Sequence, residues 1–206
     1  MNFTRLYLIR HGQVVGYEQP RYNGHTDVDL TDLGRSQLEA VATDLEGTEL
    51  AAVYSSDLIR ARFGGEALVR SRDLELRIEP SFRELYFGDW EGLSFAEVNE
   101  RYPGAMERRR KDIVQNTPPG GENVTELWDR VQGKWREVLA EHRGSSLALV
   151  AHSGVNRAMI LQALGSTPEN IWRVDQGYGC LNIIDYYEDG FVLVKLANSP
   201  NRYYGM

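Results

Sequence analysis

The stretch LYLIRHGQ, residues 6–13, decides how the fold is read. Leu6 to Ile9 form a short apolar run of the kind that becomes a buried strand. The run stops on Arg10, His11 and Gly12: a cation, an imidazole and a flexible residue. Two later stretches repeat the plan. Leu50–Tyr54 (LAAVY) is followed by Ser55, Ser56 and Asp57, with Arg60 and Arg62 in the next turn. Leu147–Ala151 (LALVA) is followed by His152, Ser153 and Gly154. In open α/β sheets, ligands bind beyond the carboxyl ends of the strands. Three strands therefore bring two histidines and several arginines to one edge.

Helical patterns separate these strands. Thr31 is placed to cap a helix whose apolar positions Leu33, Leu38, Val41 and Leu45 are expected on one side. A second helix should follow Ser55, Ser56 and Asp57, capped by either serine or the aspartate. Ser94 and Glu97 have the spacing of a capping box. A long helix is predicted from about Asn123 to His142, with Val124, Leu127, Trp128, Val131, Trp135 and Val138 at core spacing. Another runs from about Gly154 to Leu164, and Thr167-Pro168 starts a short one. Leu74–Ile78 is a further candidate strand. The segment LNIIDYYEDGFVLVKLAN, 181–198, reads as two strands joined at Asp189-Gly190. Strands alternating with helices predict an α/β sandwich with a mainly parallel sheet and an antiparallel hairpin at one end. The 206 residues fit one domain, 1–206. Within it, 103–122 (PGAMERRRKDIVQNTPPGGE) reads as a loop or lid.

Composition narrows the function. A formal net charge of −7 argues against general nucleic-acid binding. No apolar run approaches the roughly 18 residues of a membrane span. Cys180 is the single cysteine, so no intrachain disulfide forms and a reducing, cytoplasmic setting is expected. Beside an apolar stretch, Cys180 reads as packed core. Only Lys111, Lys134 and Lys195 are lysines among 23 basic residues, and the rest are arginine. Arginine forks suit phosphate and carboxylate, although a codon bias explains most of the excess. No P-loop, no paired-cysteine or H-E-x-x-H metal motif and no G-x-S-x-G elbow is present. His25 and His142 have no evident partner in the sequence. From spacing alone, the chain is an anion-binding α/β domain.

The motifs go further. LIRHG (8–12), GHTDVDLTDLG (24–34), VYSSDLIRA (53–61), FRELYFGDWEGLS (82–94), PPGGE (118–122) and VAHSGVNR (150–157) follow one another in the order found in the histidine phosphatase superfamily, in its phosphoglycerate mutase-like branch. The resemblance covers nearly the whole chain. It implies a three-layer α/β/α sandwich and a phosphohistidine mechanism that needs no metal and no cofactor. It matches His11 to the nucleophile, and Arg10, Arg60 and His152 to the remaining phosphate pocket. It matches Glu84 to the proton donor and Asn23 to a phosphate contact, with Ser153 beside His152 as a further binding residue. Leu85, Tyr86, Phe87 and Trp90 are expected to desolvate Glu84 in part, while Asp89 and Glu91 are taken as bystanders. Gln13 stands where the family often has glutamate, and Tyr17 replaces a frequent asparagine.

Within the family, FGDWEGLSFAEVNERYP followed by PPGGE is most similar to the α-ribazole phosphatase group of cobalamin biosynthesis, which implies a small phosphorylated metabolite as the partner. Three readings stay open: a phosphomonoesterase, of narrow or broad specificity; a bisphosphoglycerate-dependent mutase; and a non-catalytic phospho-ligand binding protein. The short segment between Glu84 and PPGGE favours the first. Arg108, Arg109 and Arg110 are either a guide for an anionic substrate or a solvated charge run.

Overall fold

The computed structural model describes residues 3–196. The last two positions of the predicted hairpin segment, 197 and 198, lie outside the described residues. The chain runs β1 (Phe3–Arg10), α1 (Asp32–Asp44), β2 (Ala52–Ser55), α2 (Ile59–Val69), β3 (Leu76–Ile78), α3 (Phe95–Arg101), α4 (Ala105–Lys111), α5 (Val124–Glu141), β4 (Ser146–Ala151), α6 (Ser153–Ala163), β5 (Leu181–Tyr187) and β6 (Val192–Lys195). Short 3-10 segments occupy Pro80–Phe82, Gly88–Trp90 and Pro168–Arg173.

The six strands form one sheet in the order β3-β2-β4-β1-β5-β6. β1, β2, β3 and β4 are parallel, and β5 and β6 are antiparallel additions at one side. Side chains alternate across the pleat. Leu6, Leu8, Leu147, Leu149, Ala52 and Tyr54 pack with α5 and α6. Tyr7, Ile9, Ala148, Val150 and Val53 pack with α1 and α2. The sheet is therefore buried on both faces, which gives three layers, and each near-continuous apolar strand in the sequence follows from this double burial.

Register places the site. Arg10 at the end of β1 lies opposite Ala151 at the end of β4, and Ser55 at the end of β2 lies opposite Val150. The next residues, His11, His152 and Ser56, therefore leave the sheet side by side.

Local chemistry shapes the helices as the sequence predicts in most places. Thr31 accepts from Gly34 N at 3.0 Å at the start of α1. Ser94 with Glu97 and Asn123 with Glu126 close capping boxes on α3 and α5. Two expectations fail. Leu33 is 36% exposed, because it sits about 140° around the helix from Leu38 at 100° per residue. α2 is not capped by Ser55, Ser56 or Asp57: its N-cap is Leu58, which offers no side-chain bond. Ser56 Oγ bonds His152, and Asp57 pairs with Arg83. The orphan amide of Ile59 is satisfied from another loop, by Asp27 Oδ1 at 2.8 Å.

Residues 103–122 are not all loop. Gly104, with φ +73°, turns the chain into the short helix α4. α4 splits its arginine run, with Arg108 and Arg110 exposed and Arg109 buried. Among the described residues, no helix is long and apolar enough to cross a membrane.

Candidate active site

His11 is held from three directions before its ring is considered. Its amide donates to Ala151 O at 3.0 Å, its carbonyl accepts from Gly179 N at 3.0 Å, and Nδ1 lies 2.8 Å from Gly12 O. A carbonyl only accepts, so Nδ1 carries the proton and Nε2 keeps its lone pair. The ring is 5% exposed. Burial, followed by the charges of Arg10 and Arg60, holds its pKa well below the ordinary histidine value. His11 is thus a neutral imidazole with one free nitrogen.

His152 stands at the N-cap of α6, fully buried, with its ring centroid 5.2 Å from that of His11. Its pKa is pushed down chiefly by burial, then by Arg60 and His11. Nε2 lies 2.7 Å from Ser56 Oγ, and Nδ1 has no protein partner among the described residues.

The two guanidinium groups are held by neutral groups. Arg60, 1% exposed, donates to the carbonyls of Thr26, Asn23 and Gly24 at 2.8, 3.0 and 2.7 Å. Arg10 stacks over Tyr178 at 4.1 Å and donates from Nη1 to Gln176 O, while its Nε has no partner among the described residues. Neither forms an ion pair among the described residues, nor do Arg109 and Arg157 farther out. Desolvation lowers the pKa of Arg109 to about 10. The positive charge is left for a ligand, as an anion site requires.

Glu84 closes one side. Both its oxygens accept from Gly154 N at 3.1 Å, and Oε1 also accepts from Leu85 N at 2.8 Å. A Cβ at position 154 would stand 2.3 Å from Glu84 Oε1, so a side chain there would displace this carboxylate. The aromatic neighbours of Glu84 in sequence part company. Leu85 and Phe87 line the cavity with it, Tyr86 turns out against His25, and Trp90 packs beneath Tyr22 and Tyr102.

These groups surround a cavity of about 290 Å³. Arg10, His11, Asn23, Arg60, Glu84 and Ser153 all line it, with His152 packed behind His11. Its outer wall is aromatic, formed by Tyr22, Phe87, Phe95 and Trp172, and of the arginine run only Arg109 reaches it. Arg62 pairs with Glu66 on the surface. Gln13 points to Thr31 instead, and Tyr17 is exposed away from the cavity. His25 and His142, which showed no partner in the sequence, each have one: His25 Nε2 donates to Glu84 O at 3.1 Å, and His142 Nε2 lies 2.9 Å from Tyr54 Oη. Cys180 is buried, as expected of core, with Sγ 3.2 Å from Gln176 Oε1.

Sequence reasoning missed Glu91. Its carboxylate accepts from the amides of His25, Thr26 and Phe87 and from the Thr26 hydroxyl. It ties the loop that holds Arg60 to the loop that carries Glu84, so it is no bystander. Asp89, by contrast, is exposed. Tyr178 and Trp172 were missed as well. Tyr178 lies between regular elements and Trp172 on a short 3-10 segment, where no periodicity marks them.

Comparison with known proteins agrees with this geometry. Residues 6–199 match the model of the histidine phosphatase superfamily (branch 1). A bifunctional protein of Mycobacterium tuberculosis is 34% identical over 196 residues, 95% of this chain and 54% of that protein, so the chain spans about half the length of this relative. Phosphoserine phosphatase 1 of Hydrogenobacter thermophilus is 30% identical over 197 residues, covering 94% of this chain and 92% of the relative. The crystal structure of the α-ribazole phosphatase from Shigella flexneri superposes with a TM-score of 0.88 at 27% identity, over 95% of this chain and 96% of the other.

Proposed function

Because the chain belongs to the histidine phosphatase superfamily (branch 1), we propose that it hydrolyses phosphomonoesters through a phosphohistidine on Nε2 of His11. The observation that carries this reading is the neutral Nε2 of His11 beside two guanidinium groups that have no carboxylate partner among the described residues. The Nε2 lone pair attacks phosphorus in line, forming the N–P bond as the ester P–O bond breaks. Arg10 and Arg60 balance charge on the transferring oxygens, and most of the catalysis is positioning. Glu84, entering as the acid, gives its proton to the departing alkoxide. As a carboxylate it then takes a proton from the water that attacks phosphorus. The N–P bond breaks, inorganic phosphate leaves and His11 is regenerated. Asn23 and Ser153 border the phosphoryl group.

The substrate is read as α-ribazole 5′-phosphate. The aromatic wall of Tyr22, Phe87, Phe95 and Trp172 suits a flat, apolar base in the leaving group. The similarity to the Shigella flexneri α-ribazole phosphatase supports the same choice. The Hydrogenobacter thermophilus relative is somewhat nearer in sequence, at 30% identity against 27%, but phosphoserine is small and charged and makes no use of such a wall.

The test is a phosphomonoester panel containing α-ribazole 5′-phosphate, phosphoserine and 3-phosphoglycerate, the last with and without 2,3-bisphosphoglycerate. The expected result is hydrolysis of all three, with the highest kcat/KM for α-ribazole 5′-phosphate. Preference for phosphoserine would overturn the substrate. Bisphosphate-dependent interconversion of 2- and 3-phosphoglycerate exceeding hydrolysis would overturn the reaction.

A further inference from the structure

Ser56 lies one residue beyond β2 and is 0% exposed. Ser55 Oγ donates to the Ser56 carbonyl at 2.9 Å, while Ser56 Oγ meets His152 Nε2 at 2.7 Å. That nitrogen is the one partner of the Ser56 hydroxyl among the described residues. A buried hydroxyl hydrogen needs an acceptor. Desolvation keeps His152 neutral, and a neutral imidazole has one acceptor nitrogen and one donor nitrogen. If the hydroxyl hydrogen takes Nε2, the ring proton is on Nδ1. The opposite assignment would leave the Ser56 hydrogen without an acceptor. Nδ1 is buried and has no protein partner among the described residues, on a ring whose centroid is 5.2 Å from that of His11. Buried groups of that kind are normally satisfied, by protein, by ordered water or by a ligand.

We propose that Ser56 is a positioning residue: its hydroxyl fixes His152 as the Nδ1–H tautomer, so that the second imidazole offers a hydrogen-bond donor to the phosphoryl group. This rests on the phosphatase reading for its kinetic consequence, but not for the tautomer itself.

The test joins spectroscopy to kinetics. In protein carrying nitrogen-15 histidine, the His152 signals should show a protonated Nδ1 and a bare Nε2. In Ser56→Ala the Nε2 acceptor loses its donor, and the signals should move toward a mixture of tautomers. Affinity for inorganic phosphate and kcat/KM should each fall roughly ten- to hundredfold, the range for a hydrogen bond to a charged group. Ser56→Thr keeps the hydroxyl and should restore the tautomer and most of the activity. It also guards against a fold defect in the alanine variant. A protonated Nε2 in the wild-type protein overturns the proposal. So does a Ser56→Ala variant whose His152 signals and phosphate affinity are unchanged, or a threonine variant that restores the signals without restoring phosphate binding. If the wild-type protein hydrolyses no ester while the tautomer and phosphate results hold, the phosphatase reading fails and the role of Ser56 stands.

Discussion

At the floor of the cavity, His11 and His152 are 5% and 0% exposed, and both follow directly from central strands. At its mouth, Phe95 and Trp172 are 49% and 60% exposed and sit on a seven-residue helix and a 3-10 turn. The floor is cross-braced: Arg60 alone donates to three carbonyls. The mouth is held mainly by ring contacts such as Tyr22 with Phe87 and Phe95. The difference separates two tasks. Transfer of a phosphoryl group needs fixed charges in fixed places. Recognition of a leaving group tolerates a softer surface.

Substitutions that touch the two regions should therefore fail differently. His11→Ala, at the floor, should reduce kcat/KM by at least about 10⁴-fold, and by the same factor on every ester, because the proposed nucleophile is gone. A loss that varies with substrate would break the separation. Rapid quench during turnover of a labelled ester should place the label on His11.

Glu84→Gln stands between floor and mouth. A positioned acid contributes about 10²–10⁴-fold. The loss should be of that size for an alkyl phosphate and small for p-nitrophenyl phosphate, whose phenolate leaves without a proton. The contrast is to be read in the phosphorylation step. Equal loss on both esters would make Glu84 part of the floor.

The floor should also be sensitive to acid. The folded-state pKa values of His11 and His152 lie well below 6.5 because burial beside Arg10 and Arg60 disfavours the cation. Above about pH 6.5, the imidazoles are neutral in both folded and unfolded chains and pH has no effect through them. Below it, the unfolded chain binds protons that the folded chain refuses, so stability falls. Each histidine costs about 1.4 kcal/mol per pH unit in that window. Urea unfolding of the wild-type protein should show this slope, and His152→Asn should remove about one proton from it. An unchanged slope would show that the floor admits protons.

At the mouth, Trp172→Ala should cost about tenfold in kcat/KM on an ester with an aromatic leaving group, as one lost stacking surface does, and almost nothing on glycerol phosphate. Equal loss on both would merge mouth and floor. Asp89→Asn should change neither rate by more than about twofold, as exposed substitutions usually do, whereas Glu91→Gln should disturb both regions because its carboxylate ties their loops together.

The same division governs what the sequence could reveal. The floor was readable because each part is local. An apolar run ends, and the histidine or arginine follows within a residue or a turn; Thr31, Ser94 and Asn123 announce their helices through bonds three residues away. The mouth was not readable. Trp172 and Tyr178 reach the cavity from segments with no period. Arg109 differs from Arg108 and Arg110 only in which way a short helix faces. Glu91 finds its partners 65 and 66 residues earlier, and Asp27 caps a helix 32 residues away. Such partners are chosen in three dimensions, and a single chain read in order does not display them.

Gly154 has an outcome for genetics. Its amide receives the Glu84 carboxylate, and the space a side chain would need is already filled by that carboxylate. In a library of every single substitution, position 154 should therefore score as severely as an active-site position, although glycine has no reactive group. The inactive clones would be folded proteins with a displaced acid. Selection would preserve this codon for a shape that is missing, and a compensating change would be expected at position 84 before anywhere else.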